Sequence, residues 1–323
     1  VITENIEWDG NVASSYKKGN GSKEKPYIIS NSQEFAYFAE KLKTETYKDT
    51  YFELTNNIVL NLGAFGYENG IITYLRNGQS YFVKDNKYYS DETYETEVGA
   101  FNLLESLEGF EGHFNGNYYR VYGYYNNAEN AALFPNLSGV VSNLYLENSL
   151  VVGSDEAAGF ATNANNASLS NVLFNGVVIS KAGTITKAKE VNLSDISYEI
   201  GGHTTTVELS SYVPYTATNK TYTLKGNYSL TSGEVTINGQ TLQDGTFNLN
   251  LTSLGSLEIA VTSEEAGTLS FTDVVLETSY TNATSAGIVS NGTNVNITNA
   301  IVKGTITSDY VSGGIAGALN GMN

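Results

Sequence analysis

The stretch NLYLENSLVV begins at Asn143, NVLFNGVVIS at Asn171 and NAIVKGTITS at Asn299, intervals of 28 and then 128 residues. Glycine repeats the pattern: Gly159 in AAGFA, Gly287 in SAGIV and Gly314 in SGGIAG stand 128 and then 27 positions apart. A fixed period of about 28 residues with β-type composition predicts a solenoid, because each turn of such a chain buries its apolar face only by stacking on the next. The long interval exceeds one period by about 100 residues, which is domain size. The pattern therefore predicts a host solenoid interrupted by one guest. The host resumes in register, so the guest leaves and re-enters at neighbouring points on one coil.

The boundaries follow. Residues 1–182 hold an N-terminal cap and the first coils, 183–282 the insert, and 283–323 the resumed, truncated solenoid. Short alternating strands such as NLYLEN and NVLFNG stack in parallel, with inward Leu, Val, Ile and Phe forming ladders. One amphipathic helix is expected after Asn31, which can cap it, with Glu34 as a capping-box-like partner. Phe35, Phe38, Ala39 and Leu42 form its apolar stripe, and Lys41 and Lys43 suit its C-terminal end. Such a helix would close the first coil. Residues 66–98 are tyrosine-rich and charged. They read as a hairpin projecting from the solenoid, turning at Asn77-Gly78. In 183–282 the glycine period vanishes, and six strand-like segments about 10 residues apart predict a β-sandwich.

Composition narrows the function classes. With 32 Gly, only 3 Pro and a hydrophobic fraction of 41%, the chain suits many short strands around a filled core. A net charge of −17 and only two arginines, Arg76 and Arg120, make nucleic acid a poor partner and disfavour an anionic membrane surface. No apolar run reaches the 18 residues of a transmembrane helix. The chain contains no cysteine, which excludes disulfides and thiolate metal sites. It starts at Val1 and stops inside a repeat, so a signal peptide and a C-terminal continuation are expected beyond its ends.

Catalysis on such a scaffold needs clustered carboxylates or a carboxylate with a basic partner. Glu105, Glu108, Glu111 and His113 are the candidates, read instead as outward polar residues beside Phe110 and Phe114. Asp155-Glu156 reads as a solvated turn. The two histidines, His113 and His203, lie in different modules, which argues against a triad or zinc site. No cofactor is expected. Structural calcium is the one metal left open, without a loop motif to hold it. Tyrosine is the stronger signal, 24 copies against one Trp. Tyr81, Tyr88, Tyr89 and Tyr94 of the projection, with Tyr124 and Tyr125 of the block Tyr118, Tyr119, Tyr122, Tyr124 and Tyr125, are the candidate ligand-binding residues.

Three stretches carry a resemblance to a known family. WDG…KPYIISNSQEFAYFA…YFELTNNIVL resembles the usual opening of bacterial surface proteins with GLUG-type repeats. FEGHFNGNYYRVYGYYNNAENAALFPNLSGVVSNLYLEN is similar to the block that leads into those repeats, and AAGFA, SAGIV and GGIAG resemble the repeat signature. The likeness covers most of 6–180 and 283–323. It implies a right-handed parallel β-helix on a secreted or wall-attached protein, often an adhesin, and transfers no catalytic residue. The insert is faintly similar to jelly-roll carbohydrate-binding modules, and an immunoglobulin-like sandwich would give the same texture. The expectation is therefore a non-catalytic adhesin or fibre segment at the bacterial cell surface, displaying a module for host or neighbouring-cell glycan or protein. The alternatives are a β-helix carbohydrate-active enzyme and, through self-association, an extracellular filament subunit.

Overall fold

A computed structural model describes residues 7–104, 109–181, 183–212, 220–309 and 311–320. The protein is nearly all β, 58% strand, with one α-helix among the described residues. It divides into two compact units, 1–182 with 283–323, and 183–282.

In the first unit three sheets are built wholly from parallel pairs. In the first sheet Phe52 pairs with Phe114, Phe114 with Val141, Val141 with Leu169, and Leu169 with Ile297. In the second, Val121 pairs with Leu146, Leu146 with Phe174, and Phe174 with Val302. In the third, Phe110, Leu137, Ala164, Gly292 and Leu319 pair in turn. Inward members of these rows, Phe52, Phe110, Phe114, Val121, Leu146, Leu169 and Phe174 among them, share one buried core.

Asparagine fixes the turn between the first two sheets. Asn143, Asn171 and Asn299 all sit at φ of 50 to 53°, a left-handed conformation that asparagine tolerates better than most side chains. Their amides form a ladder: Asn143 Nδ2 donates to Asn115 Oδ1 at 2.9 Å, Asn171 to Asn143 at 2.8 Å, and Asn299 to Asn171 at 3.0 Å. Residues on either side of the insert thus stack as neighbours. Asn171→Ala loses two amide bonds and places a Cβ-bearing residue without a polar side chain at positive φ. It should cost about 2 kcal/mol, with Asn171→Gly recovering roughly half through its backbone freedom. Urea unfolding of both variants checks this; equal losses would mean that backbone strain plays no part.

The helix spans Ser32–Leu42 and buries Phe35, Phe38, Ala39 and Leu42. Asn31 Oδ1 accepts from Glu34 N at 2.9 Å. The Glu34 carboxylate does not close a capping box on Asn31; it accepts from Ser30 N at 2.8 Å and Ser30 Oγ at 2.7 Å, one residue earlier. Phe38 meets Phe52, Phe110 and Phe114 with ring centres 4.7, 5.8 and 5.4 Å away, so the helix covers core rings of both the first and the third sheet.

Residues 64–100 form more than one hairpin. Ala64–Glu68, Ile71–Arg76, Gln79–Lys84, Lys87–Tyr89 and Glu97–Ala100 make a five-stranded antiparallel sheet. Asn69-Gly70, Asn77-Gly78 and Asp85-Asn86 turn its first three corners, all at positive φ as two-residue hairpin loops require. One face is covered: Phe65, Tyr74, Val83 and Phe101 share a core with Tyr125, Leu150, Val177 and Ile179 of the second sheet. Strands Tyr145–Ala158 and Leu173–Ser180 are therefore buried on both faces at Leu150-Val151, with Val152 half-buried, and along VVI, which is why these read as unbroken apolar runs.

The second unit is built of two antiparallel sheets. The first contains Gly183–Glu190, Ile196–Tyr198, Thr221–Leu230, Thr246–Leu251 and Gly267–Asn282; the other His203–Glu208, Glu234–Ile237, Gln240–Thr241 and Ser256–Thr262. Leu224, Leu249 and Leu276 of one share a core with Val235, Leu257 and Ile259 of the other. Three strands, at 183–190, 196–198 and 240–241, go beyond the six read from the sequence.

Candidate functional site

The six tyrosines singled out in the sequence do not form one surface. Tyr124 is fully buried in the main core, where its hydroxyl donates to Ala132 O at 2.7 Å and accepts from Asn126 Nδ2 at 2.8 Å. Tyr125 is 3% exposed in the second core, its hydroxyl on Asn86 Oδ1 at 2.9 Å, and burial pushes its pKa up to about 12. Neither is available to a ligand, which corrects the reading of these two as binding residues. Tyr81 and Tyr88, with ring centres 5.3 Å apart, are half-buried against the covered face of the antiparallel sheet. Tyr89 and Tyr94 form a separate edge-to-face pair at 5.5 Å, with Lys84 Nζ 5.0 Å over the Tyr94 ring. Asp91 ties down the loop that carries Tyr94. It accepts from Thr93 Oγ1 at 2.6 Å, Glu95 N at 3.1 Å and Thr96 N at 2.9 Å, and these bonds hold its pKa well below the usual carboxylate range.

The carboxylate candidates separate likewise. Glu105 and Glu108 lie outside the described residues. Glu111 is exposed, and its N–H binds Thr46 O at 2.8 Å before the strand begins. His113 lies flat on Tyr51, ring centres 4.2 Å apart and 2° from parallel. Asp155 and Glu156 are not a solvated turn. They continue strand Tyr145–Ala158, Asp155 at 3% exposure. Burial first, and then the charge of Asp155, push the Glu156 carboxyl up to about 7. Among the described residues no cluster of three or more His, Asp or Glu side chains suits a metal ion.

A different surface brings stacking and hydrogen-bonding groups together. The first residues of the second sheet's strands range from buried Leu173, 8% exposed, through half-buried Arg120 and Tyr145 to exposed Ile301. There Arg120, Tyr145, Leu173 and Ile301 pair in one outward row. Two residues further on, Tyr122, Glu147, Asn175 and Lys303 pair in another. The Arg120 guanidinium stands 5.4 Å over the Tyr145 ring, and the Tyr118 ring meets Tyr145 edge-on at 6.0 Å. Both Glu147 oxygens are engaged: one lies 3.5 Å from Arg120 Nε and the other accepts from Asn175 Nδ2 at 2.8 Å. Tyr118 is 54% exposed and sits at φ 62°, a left-handed backbone that a bulky side chain rarely adopts. Its N–H donates to Asn143 O at 2.8 Å, so the asparagine turn beneath it holds that conformation. Such local strain, retained at an exposed aromatic, is a recurrent mark of binding sites.

The sequence reading named Tyr118 and Tyr122 within a tyrosine block but missed Arg120, Tyr145, Glu147, Asn175 and Lys303. The signal was present. Each flanks a repeat position, Val121, Leu146, Phe174 or Val302, that points inward, so strand alternation sends it outward.

In the second unit a cleft of about 310 Å³ is lined by Asn238, Asn250 and Ser256 over Ile237, Leu249 and Leu257. Its described tyrosines offer no aromatic floor: Tyr198 is buried with its hydroxyl on Ser232 O at 2.8 Å, and Tyr222 and Tyr228 lie against the core. The side chains of Tyr212 and Tyr215 lie outside the described residues.

No family model, no curated protein and no solved structure matches the chain.

Proposed function

We propose that the chain is a non-catalytic binding protein of the bacterial cell surface, in which a right-handed parallel β-helix carries an inserted β-sandwich and binds glycan or protein ligands. The rows of parallel pairs 27, 28 and 128 residues apart and the asparagine ladder support the β-helix. The likeness to proteins with GLUG-type repeats supports the surface location. The observation that carries the binding role is the Tyr118–Arg120–Tyr145 platform with Glu147 and Asn175 beside it. Rigid aromatic faces beside fixed polar groups suit ring-shaped or peptide ligands.

The test is a glycan array together with a panel of host extracellular proteins, probed with the whole protein and with Tyr145→Ala. At least one ligand should bind, and Tyr145→Ala should weaken it roughly tenfold, about 1.4 kcal/mol. A blank screen, or binding indifferent to Tyr145, rejects the assignment.

A further inference from the structure

We propose that this face binds an acidic polysaccharide, a chain of carboxylate-bearing pyranoses lying across the strands. The inference rests on the reading of the face as a binding surface, and adds the ligand's chemistry and direction.

Two rows give the direction. Arg120, Tyr145, Leu173 and Ile301 form a rail of flat or apolar side chains, in which Leu173 is 8% exposed and Ile301, at its end, 50%. Tyr122, Glu147, Asn175 and Lys303 form a polar rail beside it. Successive members of a rail are ~4.8 Å apart and the rails ~7 Å apart, the spacings of paired strands and of alternate residues. A pyranose chain has the matching anatomy. Each ring has an apolar C–H face and a hydroxylated rim, and the rings repeat at roughly the strand spacing. A peptide strand would instead place alternate side chains on opposite faces and meet the two rails only every second residue.

Charge complementarity gives the chemistry. The chain carries −17 overall, yet among the described residues of these two rows Arg120 and Lys303 stand against Glu147 alone. Both Glu147 oxygens are taken, so it repels an incoming anion less than a free carboxylate would. The other arginine, Arg76, is already engaged by Glu7 through both terminal nitrogens, at 3.2 and 2.6 Å. Arg120 meets Glu147 through Nε at 3.5 Å, and its terminal nitrogens show no hydrogen bond to protein among the described residues. A guanidinium so held takes a carboxylate in bidentate fashion. Lys303 is exposed three strand steps away, ~14 Å along the stack. One sugar carboxylate reaches Arg120 or Lys303 and not both, so the ligand is a chain of about four rings.

The experiment is calorimetry of the whole protein with galacturonate oligomers of one to eight rings, and in parallel with sialic acid oligomers, which separates the two sources of carboxylate. Cello-oligosaccharides are the uncharged control. In at least one acidic series affinity should rise with length to about four rings and then level, and weaken with added salt. Lys303→Gln should abolish the rise while leaving the single-ring affinity in place. Tyr145→Ala should weaken every length roughly tenfold, with its unfolding curve showing that it folds. Length-independent binding, equal affinity for uncharged oligomers, or a length dependence unchanged in Lys303→Gln overturns the inference. Tyr145-dependent binding of an uncharged glycan or a protein, with both acidic series blank, overturns the acidic chain and leaves the binding face standing. No Tyr145-dependent binding of any kind removes both.

Discussion

Gly159→Ala should destabilise the first unit by about 3 kcal/mol, and Gly314→Ala, at the same place in the repeat, by no more than about 0.5 kcal/mol. The three glycines of AAGFA, SAGIV and SGGIAG look alike in sequence, but their surroundings differ. A Cβ on Gly159 would lie 2.2 Å from Gly287 O and 2.5 Å from a ring carbon of Phe174. A Cβ on Gly287 would lie 2.2 Å from Gly314 O and 2.5 Å from both methyls of Val302. The close atoms include backbone carbonyls of the adjacent turn, which cannot rotate away; relief requires separating paired strands. Around Gly314 nothing lies within 4 Å. Trp8 is the one tryptophan, 8% exposed in the core of this unit, so its fluorescence in urea reports on the first unit and not on the insert. Similar losses for Gly159→Ala and Gly314→Ala would show that glycine is there for backbone freedom and not for close stacking.

The same contrast explains what could be read in the chain. Stacking in register demands the same residue type at every turn, and so Asn143, Asn171 and Asn299, and the glycines, stood out as a period. The helix was legible because Asn31 and the Phe35–Leu42 stripe are local signals. Burial of tyrosines was not legible, because it depends on what covers the second sheet's outer face. Tyr124 and Tyr125 are adjacent, so alternation sends one inward and the other outward. Both are buried, because Phe65 and Phe101 of the antiparallel sheet cover the outward side at ring distances of 5.7 and 5.0 Å from Tyr125. That contact joins residues 60 apart in sequence and 24 apart at nearest, and no local pattern announces it. Tyr145 lies on the same sheet beyond that cover and is only half-buried, and Tyr118, in the turn before Arg120, is 54% exposed. Asp155-Glu156 misled for the opposite reason: charge suggested a turn, while the strand ran on to Ala158 under the demands of pairing with Asn130 and Thr284.

Glu156 makes that mismatch measurable. Its Oε1 accepts from Asn291 Nδ2, whereas Oε2 is buried with no hydrogen-bond partner among the described residues. Burial and the neighbouring Asp155 disfavour the charged form, raising its pKa from 4.5 to about 7. The folded protein therefore holds a proton that the unfolded chain has released between those two values. Stability should be greatest below the unfolded value, fall as pH rises through about 7, and level off above it, a loss of up to about 3 kcal/mol. Asp9 and Asp91 have pKa values lowered by hydrogen bonds, so their contributions are lost only on acidification below the usual carboxylate range, outside this window. Glu156→Gln keeps an acceptor for Asn291 and removes the charge. It should flatten the stability profile between pH 5 and 7 and raise stability at pH 8 by about 1–3 kcal/mol. Trp8-monitored urea titrations at pH 5, 6, 7 and 8 decide the matter. A profile that declines as steeply in the Gln variant would place the titrating group elsewhere, and a variant less stable at pH 8 would mean that the ionised carboxylate is satisfied where it stands.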